Sequence, residues 1–256
     1  MLKIERTVLP YPEQWEIIIE GMRNPKNSWD RIDSYKTHIE NPETLNTADF
    51  AFFLGEKDHK LMDTLNAGGP VHAKYRRMIP VYVTITAPLY WWKEFDTYKI
   101  GTVCNSCSTM HKIHSKEFTL DDFSRDHIDG TYVCAKRGDE TFAPWDILNL
   151  TIDGLNHHRE KYLKVCDSLK NRDHTESEKR RLKLMAKSHW WQMIQLLPSS
   201  YNQKRTIMLN YEVLVGIYKW RRDHKLYEWH VFCDWIEQLP YSELITGKNL
   251  DNTAEG

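Results

Sequence analysis

Residues 78–90, Met-Ile-Pro-Val-Tyr-Val-Thr-Ile-Thr-Ala-Pro-Leu-Tyr, constrain this chain more than any other stretch. Val, Ile and Thr are stiff at the first side-chain torsion and fit a pleated surface better than a helix. Side chains of opposite character alternate along the run, as they do in a strand with one covered face. A weaker alternation over residues 2–8 marks an opening strand, and residues 206–209 read as a third.

The remaining periodic segments are helical. Pro12 and Glu13 suit a first turn, and Trp15, Ile18, Ile19 and Met22 follow at helical spacing. Residues 57–66 carry Leu61, Met62 and Leu65 and stop at Gly68-Gly69-Pro70. Residues 144–169 and 177–197 are long amphipathic helices, the second ended by Pro198. Shorter helices are expected over 210–219 and 228–239, and Thr119 or Asp121 looks like a further helix cap. Residues 24–46, rich in Asn-Pro turns, read as a long loop with a short helix at most, and the chain from Asp251 should fray. No repeat and no linker divides the sequence. The expectation is one helix-rich domain with a modest sheet, over 1–245, and a flexible tail over 246–256.

Charge narrows the function classes. Lys+Arg number 35 and Asp+Glu 36 in 256 residues, a net charge of -1, so no basic face for duplex nucleic acid is expected. No stretch approaches the length of a membrane span, and the charged opening Lys3-Ile4-Glu5-Arg6 lacks a signal-type apolar core, so a cytoplasmic location is expected. Five widely spread cysteines suit reduced thiols rather than a disulfide scaffold. The 10 Trp, 13 Tyr and 8 Phe suit a bulky core with an oligomer interface, or less directly a set of stacking surfaces for a planar ligand.

Chemistry concentrates after the central strand. Lys93, Glu94, Asp96, Lys99, Asn105, Ser106, Ser108 and Thr109 form a densely polar stretch where a strand gives way to loop, a position where ligands gather in mixed proteins. Ser, Thr and Asn beside Lys can hold a phosphate or a base edge, and a ligand-free hydrogen-bonded loop fits the same residues. Cys104, Cys107, His111 and His114 bring four soft donors within eleven residues, but with no loop long enough to fold both pairs around one zinc ion; no metal site is assigned. Arg221-Arg222 closes a helix, where a cation suits the dipole and a guanidinium can also grip phosphate. No nucleophile elbow, P-loop or dinucleotide-binding glycine fingerprint is present.

Taken in order, these segments resemble the flavin-dependent thymidylate synthases, the ThyX family, and within it a divergent branch found in phage and prophage genomes. The opening strand with Pro12-Glu13, the helix before Gly69 and His72, the strand ending Ile85-Thr86-Ala87-Pro88, and Leu197-Pro198 followed by Tyr201 and Asn210 keep the family's order. Arg221 falls where the family has an arginine that binds the substrate nucleotide. The family signature R-H-R-x-x-S-x-N-E-x-S-x-R-Y is matched at Asn105 and Ser108. Its flavin-contacting Arg-His-Arg has Thr97-Tyr98-Lys99 as ungapped counterpart; with one added residue after it, the motif's Glu falls on Ser106 and its closing Arg-Tyr pair on Met110 and His111. Other family positions fall on Glu94 for a Gln, Arg77 and Met78 for Glu-His, Ile194 for an Arg, and Glu212 for the Arg of N-x-R.

The resemblance implies an α+β fold, helix-rich around a small, mostly antiparallel sheet, in a cytoplasmic homotetramer. It implies a protein that binds or modifies a dUMP-type pyrimidine deoxynucleotide, with an altered or lost flavin site. Asn105, Ser108, Asn210 and Arg221 would hold the nucleotide. Lys93, Lys99 and Arg205 would supply positive charge, with Glu94 and Ser106 at the same site. An active enzyme would use FAD and methylenetetrahydrofolate as the family does. A non-catalytic nucleotide-binding homo-oligomer or accessory phage protein is the alternative.

Overall fold

The computed structural model describes residues 2–39 and 49–248. In chain order it contains β1 (Lys3–Val8), α1 (Pro12–Arg23), β2 (Tyr35–Ile39), β3 (Asp49–Phe53), α2 (Glu56–Ala67), β4 (Pro80–Pro88), α3 (Leu89–Phe95), β5 (Val103–Ser106), β6 (Ala135–Arg137), β7 (Glu140–Phe142), α4 (Pro144–Ser168), α5 (Glu176–Leu196), β8 (Asn202–Asn210), α6 (Tyr211–Arg221), α7 (Tyr227–Glu237) and α8 (Glu243–Thr246). A four-stranded sheet has the order β1-β4-β8-β5, and β2-β3 and β6-β7 are separate two-stranded antiparallel ribbons. The contacts sort into two compact units. One comprises Met1–Lys3, Thr86–Glu94 and Ser106–Lys204; the other comprises Ile4–Ile85, Phe95–Asn105 and Arg205–Gly256.

β4 behaves as its alternation predicts: Val81, Val83, Ile85 and Ala87 are buried, while Tyr82 between them is exposed. Burying each Val or Ile side chain contributes about 1.5–3 kcal/mol, which decides the register of this strand.

The first unit is built on the two long helices. α4 starts with Pro144 in its first turn, and α5 starts at Thr175, whose Oγ1 accepts from Glu178 N while Glu178 Oε2 accepts from Thr175 N at 2.8 Å. Leu148, Ile152 and Leu155 of α4 and Met193 of α5 bury against Ile113, Phe118 and Phe123. Pro198 follows the end of α5 as the sequence requires.

The second unit holds α1, whose Trp15, Ile18, Ile19 and Met22 stripe is buried, together with α2, α6, α7 and α8. Trp229, Phe232 and Ile236 of α7 and Leu214 and Ile217 of α6 are fully buried here.

Three local expectations change. Residues 35–39 pair with 49–53 as a β-ribbon rather than belonging to a loop; residues 24–34 of that expected loop hold two short 3-10 turns, and 40–46 lie outside the described residues. Tyr35 stacks on Phe53 across the ribbon, a pair that supports strands in an otherwise polar sequence. Leu89 starts a helix directly after Pro88, its first N–H groups answered by the carbonyls of Tyr201 and Ser199. Thr119 caps a single 3-10 turn, Leu120–Asp122, rather than a full helix. The expected fraying from Asp251, like most of the tail expected over 246–256, lies outside the described residues.

Candidate functional site

The chemistry of the second unit gathers around residues 95–105 and the ends of β8 and α6. Asn210 leaves β8 in an extended conformation, and its Oδ1 accepts from Val213 N at 3.1 Å, so the side chain caps α6. Gly101 sits close by at φ +77°, and a Cβ there would lie 3.0 Å from Val213 Cγ2 and 3.3 Å from Asn210 Nδ2. Only glycine offers both the left-handed conformation and the clearance.

Arg221 occupies the last turn of α6, where the helix dipole favours a cation. Its Nε donates to Tyr98 Oη at 2.9 Å. The guanidinium carbon lies 4.8 Å from the centre of the Trp229 ring and 5.6 Å from that of Tyr98. Tyr98 meets Trp229 edge-on at 6.1 Å, and Phe95 stacks on the same indole at 6.4 Å. Each cation–π contact is worth about 0.5–1 kcal/mol at an exposed site and more where water is excluded. Trp229 is fully buried while Arg221 is only half-buried. The guanidinium is therefore seated on a rigid aromatic floor and reaches the surface.

On β8, Arg205 Nη1 lies 2.7 Å from Asp96 Oδ1 and 3.8 Å from Cys104 Sγ. Lys99 and Asn105 are exposed on the same segment. Of the residues expected from sequence, Lys99, Asn105, Arg205, Asn210 and Arg221 thus belong to this unit. Lys93, Glu94, Ser106 and Ser108 belong to the other. There, Lys93 and Ser106 are exposed and Glu94 is half-buried. Ser108 Oγ accepts from His111 N at 3.0 Å and closes a local turn.

Tyr98, Trp229 and Gly101 were not assigned to the site from sequence, and Asp96 only as a member of the polar stretch after the central strand. Tyr98 carried a signal, since it stands at the centre of the tripeptide that aligns with Arg-His-Arg. Its phenol, however, gave no reason to expect a guanidinium as partner.

Glu212, where an arginine was the family expectation, has its charge answered. Its Oε2 lies 2.7 Å from Arg76 Nη2 and accepts from Nε at 2.9 Å. Arg76 is buried and also donates to Asn66. Met110 is exposed, and Ile194 packs against the apolar cluster of the first unit, so neither position offers a charge. Among the described residues no group of three or more His, Cys, Asp or Glu side chains is arranged to hold a metal ion. Among the same residues no helix is long and apolar enough to cross a membrane.

No family model matches the sequence, and no curated protein matches it. Solved structures do. Thymidylate synthase X (ThyX) from Helicobacter pylori, crystallised with FAD and dUMP, superposes with a TM-score of 0.51 over 96% of this chain and 95% of its own, at 12% identity. The fold is that of ThyX. A second H. pylori ThyX structure complexed with FAD and dUMP matches equally, with a TM-score of 0.51, 12% identity and 96% of each chain covered. The UMP/dUMP methylase PolB from Streptomyces cacaoi, bound with 5-Br dUMP, gives a TM-score of 0.51 at 11% identity over 96% of this chain and 94% of its own. The expectation of an α+β, ThyX-like, helix-rich chain with a small antiparallel sheet holds. At this identity the likeness carries the ThyX fold and leaves each site residue to be judged on its own geometry.

Proposed function

We propose that this chain is a ThyX-like protein, one functional domain over 1–245 with a tail over 246–256, that binds a dUMP-type pyrimidine deoxynucleotide. In this proposal Arg221 holds the phosphate and Lys99, Asn105, Arg205 and Asn210 surround it. The observation that carries the proposal is the seating of Arg221: a partly exposed guanidinium held by Tyr98 Oη at 2.9 Å and by the Trp229 ring. A guanidinium fixed in this way presents a planar fork suited to phosphate oxygens. That the ThyX and PolB structures hold dUMP and 5-Br dUMP supports the choice of nucleotide.

The residues present do not fit the flavin as the resembled family's do. Thr97, Tyr98 and Lys99 stand against Arg-His-Arg, so one cation replaces two, and the central side chain is engaged with Arg221. An altered or absent FAD site is therefore part of the proposal, and no step is derived through the cofactor. A methylating activity would in addition draw on methylenetetrahydrofolate. The aliphatic Met110 and Ile194, where arginines were expected, favour a second reading: a cytoplasmic, non-catalytic nucleotide-binding homo-oligomer, a tetramer by resemblance. The near-zero net charge supports a small-molecule ligand over duplex nucleic acid in either case.

Calorimetric titration of the purified protein with dUMP, alongside its visible absorbance spectrum, tests this. Saturable dUMP binding is expected, weakened at least about tenfold in Arg221→Lys, the loss of one charge-assisted bidentate contact at roughly 1.5 kcal/mol or more. A flavin band at stoichiometric strength would overturn the altered-flavin part. dUMP binding that is absent, or unchanged in Arg221→Lys, would overturn the nucleotide site.

A further inference from the structure

A second concentration of positive charge lies in the same unit, in sequence between Arg23 and Thr64. A cavity of about 640 Å³ there is walled by Arg23, Lys26, Arg31, Lys57 and Lys60, with Asp30 the one carboxylate among the described residues that line it. Local structure brings these cations together. The 3-10 turns Asn24–Lys26 and Trp29–Arg31, joined through Asn27 at φ +46°, fold Lys26 and Arg31 back beyond the end of α1. Lys57 and Lys60 are three residues apart on α2 and share a face. Like charges so placed repel one another in the absence of an anion.

Two observations show that the described residues do not neutralise them. Among the described residues, the side chains of Lys26, Arg31, Lys57 and Lys60 make no hydrogen bond and no ion pair. Arg23 has a side chain only 4% exposed and is only partly answered. Its Nε donates to Asp58 Oδ1 at 2.5 Å, and Nη1 makes long contacts to Ser28 O and Oγ at 3.4 and 3.3 Å. Its Nη2 is buried with no hydrogen-bond partner among the described residues. Asp58 cannot supply more, because its other oxygen already accepts from Asp33 N, Ser34 N and Ser34 Oγ at 3.0, 2.8 and 2.7 Å. Buried donors in native structures nearly always have an acceptor, so an orphan at the edge of a cationic cavity points to one brought by a ligand.

We propose that this cavity binds the diphosphate group of a phosphorylated small molecule. A diphosphate carries several negative charges and a row of strong acceptor oxygens, enough to engage the lysines and a guanidinium at once, as a single carboxylate or monophosphate would not. The volume is within the range of small-ligand pockets. The site is separate from Arg221 and does not depend on the dUMP assignment.

The test is calorimetric titration of the full chain with sodium pyrophosphate and, separately, with ADP, whose purine base does not suit the pyrimidine site proposed at Arg221, at constant ionic strength. The same titrations are run on the double variant Lys57→Gln/Lys60→Gln and on Arg221→Lys. Both lysines are exposed, so the double variant leaves the buried Arg23–Asp58 pair intact. Saturable binding near one equivalent is expected, at least about tenfold weaker in the lysine variant and unchanged in Arg221→Lys. ADP binding more tightly than pyrophosphate would assign a nucleoside diphosphate, and equal or weaker ADP binding would assign the diphosphate group alone; both support the site. Absence of saturable binding with either probe overturns it. So does binding that survives in the lysine variant, or that is lost in Arg221→Lys and so belongs to the other site.

Discussion

Arg76 and Glu212 form a buried ion pair across 136 residues of chain, at 2.7 Å between Nη2 and Oε2. The guanidinium side chain is 4% exposed and the carboxylate 21%, so the pair ties the turn before β4 to the first turn of α6 largely out of water. Among the described residues, removing the anion leaves a buried cation with only Asn66 as partner. Glu212→Gln is expected to lower unfolding free energy by about 2 kcal/mol, less than a fully buried pair would lose because Glu212 is partly solvated. Glu212→Arg, which restores the residue type expected from the family, should cost more. Urea unfolding followed by circular dichroism decides both, and a wild-type midpoint for either variant contradicts the role given to the pair.

Gly101 predicts a different kind of sensitivity. A methyl group at this position meets Val213 and Asn210 at 3.0 and 3.3 Å, on a backbone at φ +77°. Gly101→Ala should destabilise the fold by about 1–2 kcal/mol from the left-handed conformation alone. It should also displace Asn210, so dUMP affinity should fall beyond what a matched loss of stability elsewhere produces. Thermal melts paired with dUMP titrations measure the two effects on one sample, and an unaltered affinity would separate Asn210 from the nucleotide.

Asp58 sets an acid limit on the second unit. Burial by itself raises its pKa, but the Ser34 hydroxyl, the backbone N–H groups of Asp33 and Ser34, and Arg23 together outweigh burial and bring it below the usual carboxylate value. The folded chain therefore holds this proton less tightly than the unfolded chain. The resulting stabilisation is complete above the unfolded carboxylate pKa and is lost as pH falls through that value toward the lower folded one. Asp58→Asn should lower stability at neutral pH and flatten the acid limb of a stability-against-pH curve. A parallel acid limb in wild type and variant would show that Asp58 is not the group responsible.

Much of the architecture could be read from patterns that local physics enforces. The alternation of Val81, Val83 and Ile85, the stripes on α1, α4 and α5, the stop at Pro198 and the cap at Asn210 each depend on a few neighbouring residues. The β2-β3 ribbon was hidden because Tyr35-Lys36-Thr37 is polar, and its support is the Tyr35–Phe53 stack with a segment well along the chain. α3 was hidden because Trp91 and Trp92 are modest helix formers, and their complete burial overrides propensity. Its aromatic richness belongs largely to the core, as Trp91, Trp92 and Trp229 illustrate. For the candidate site, Arg221, Arg205 and Asn210 were recognisable as types in a familiar order. The Tyr98 and Trp229 setting of Arg221, the Asp96 partner of Arg205 and the clearance at Gly101 exist only once distant segments meet.

The indole beneath Arg221 also bears on thermodynamics. A long flexible cation normally surrenders rotamer freedom when it closes on an anion, and that loss opposes association. Here tethering to a phenol and a ring face has already removed much of that freedom in the empty protein. Whatever anion docks there should do so with a small entropic penalty and little rearrangement of the arginine.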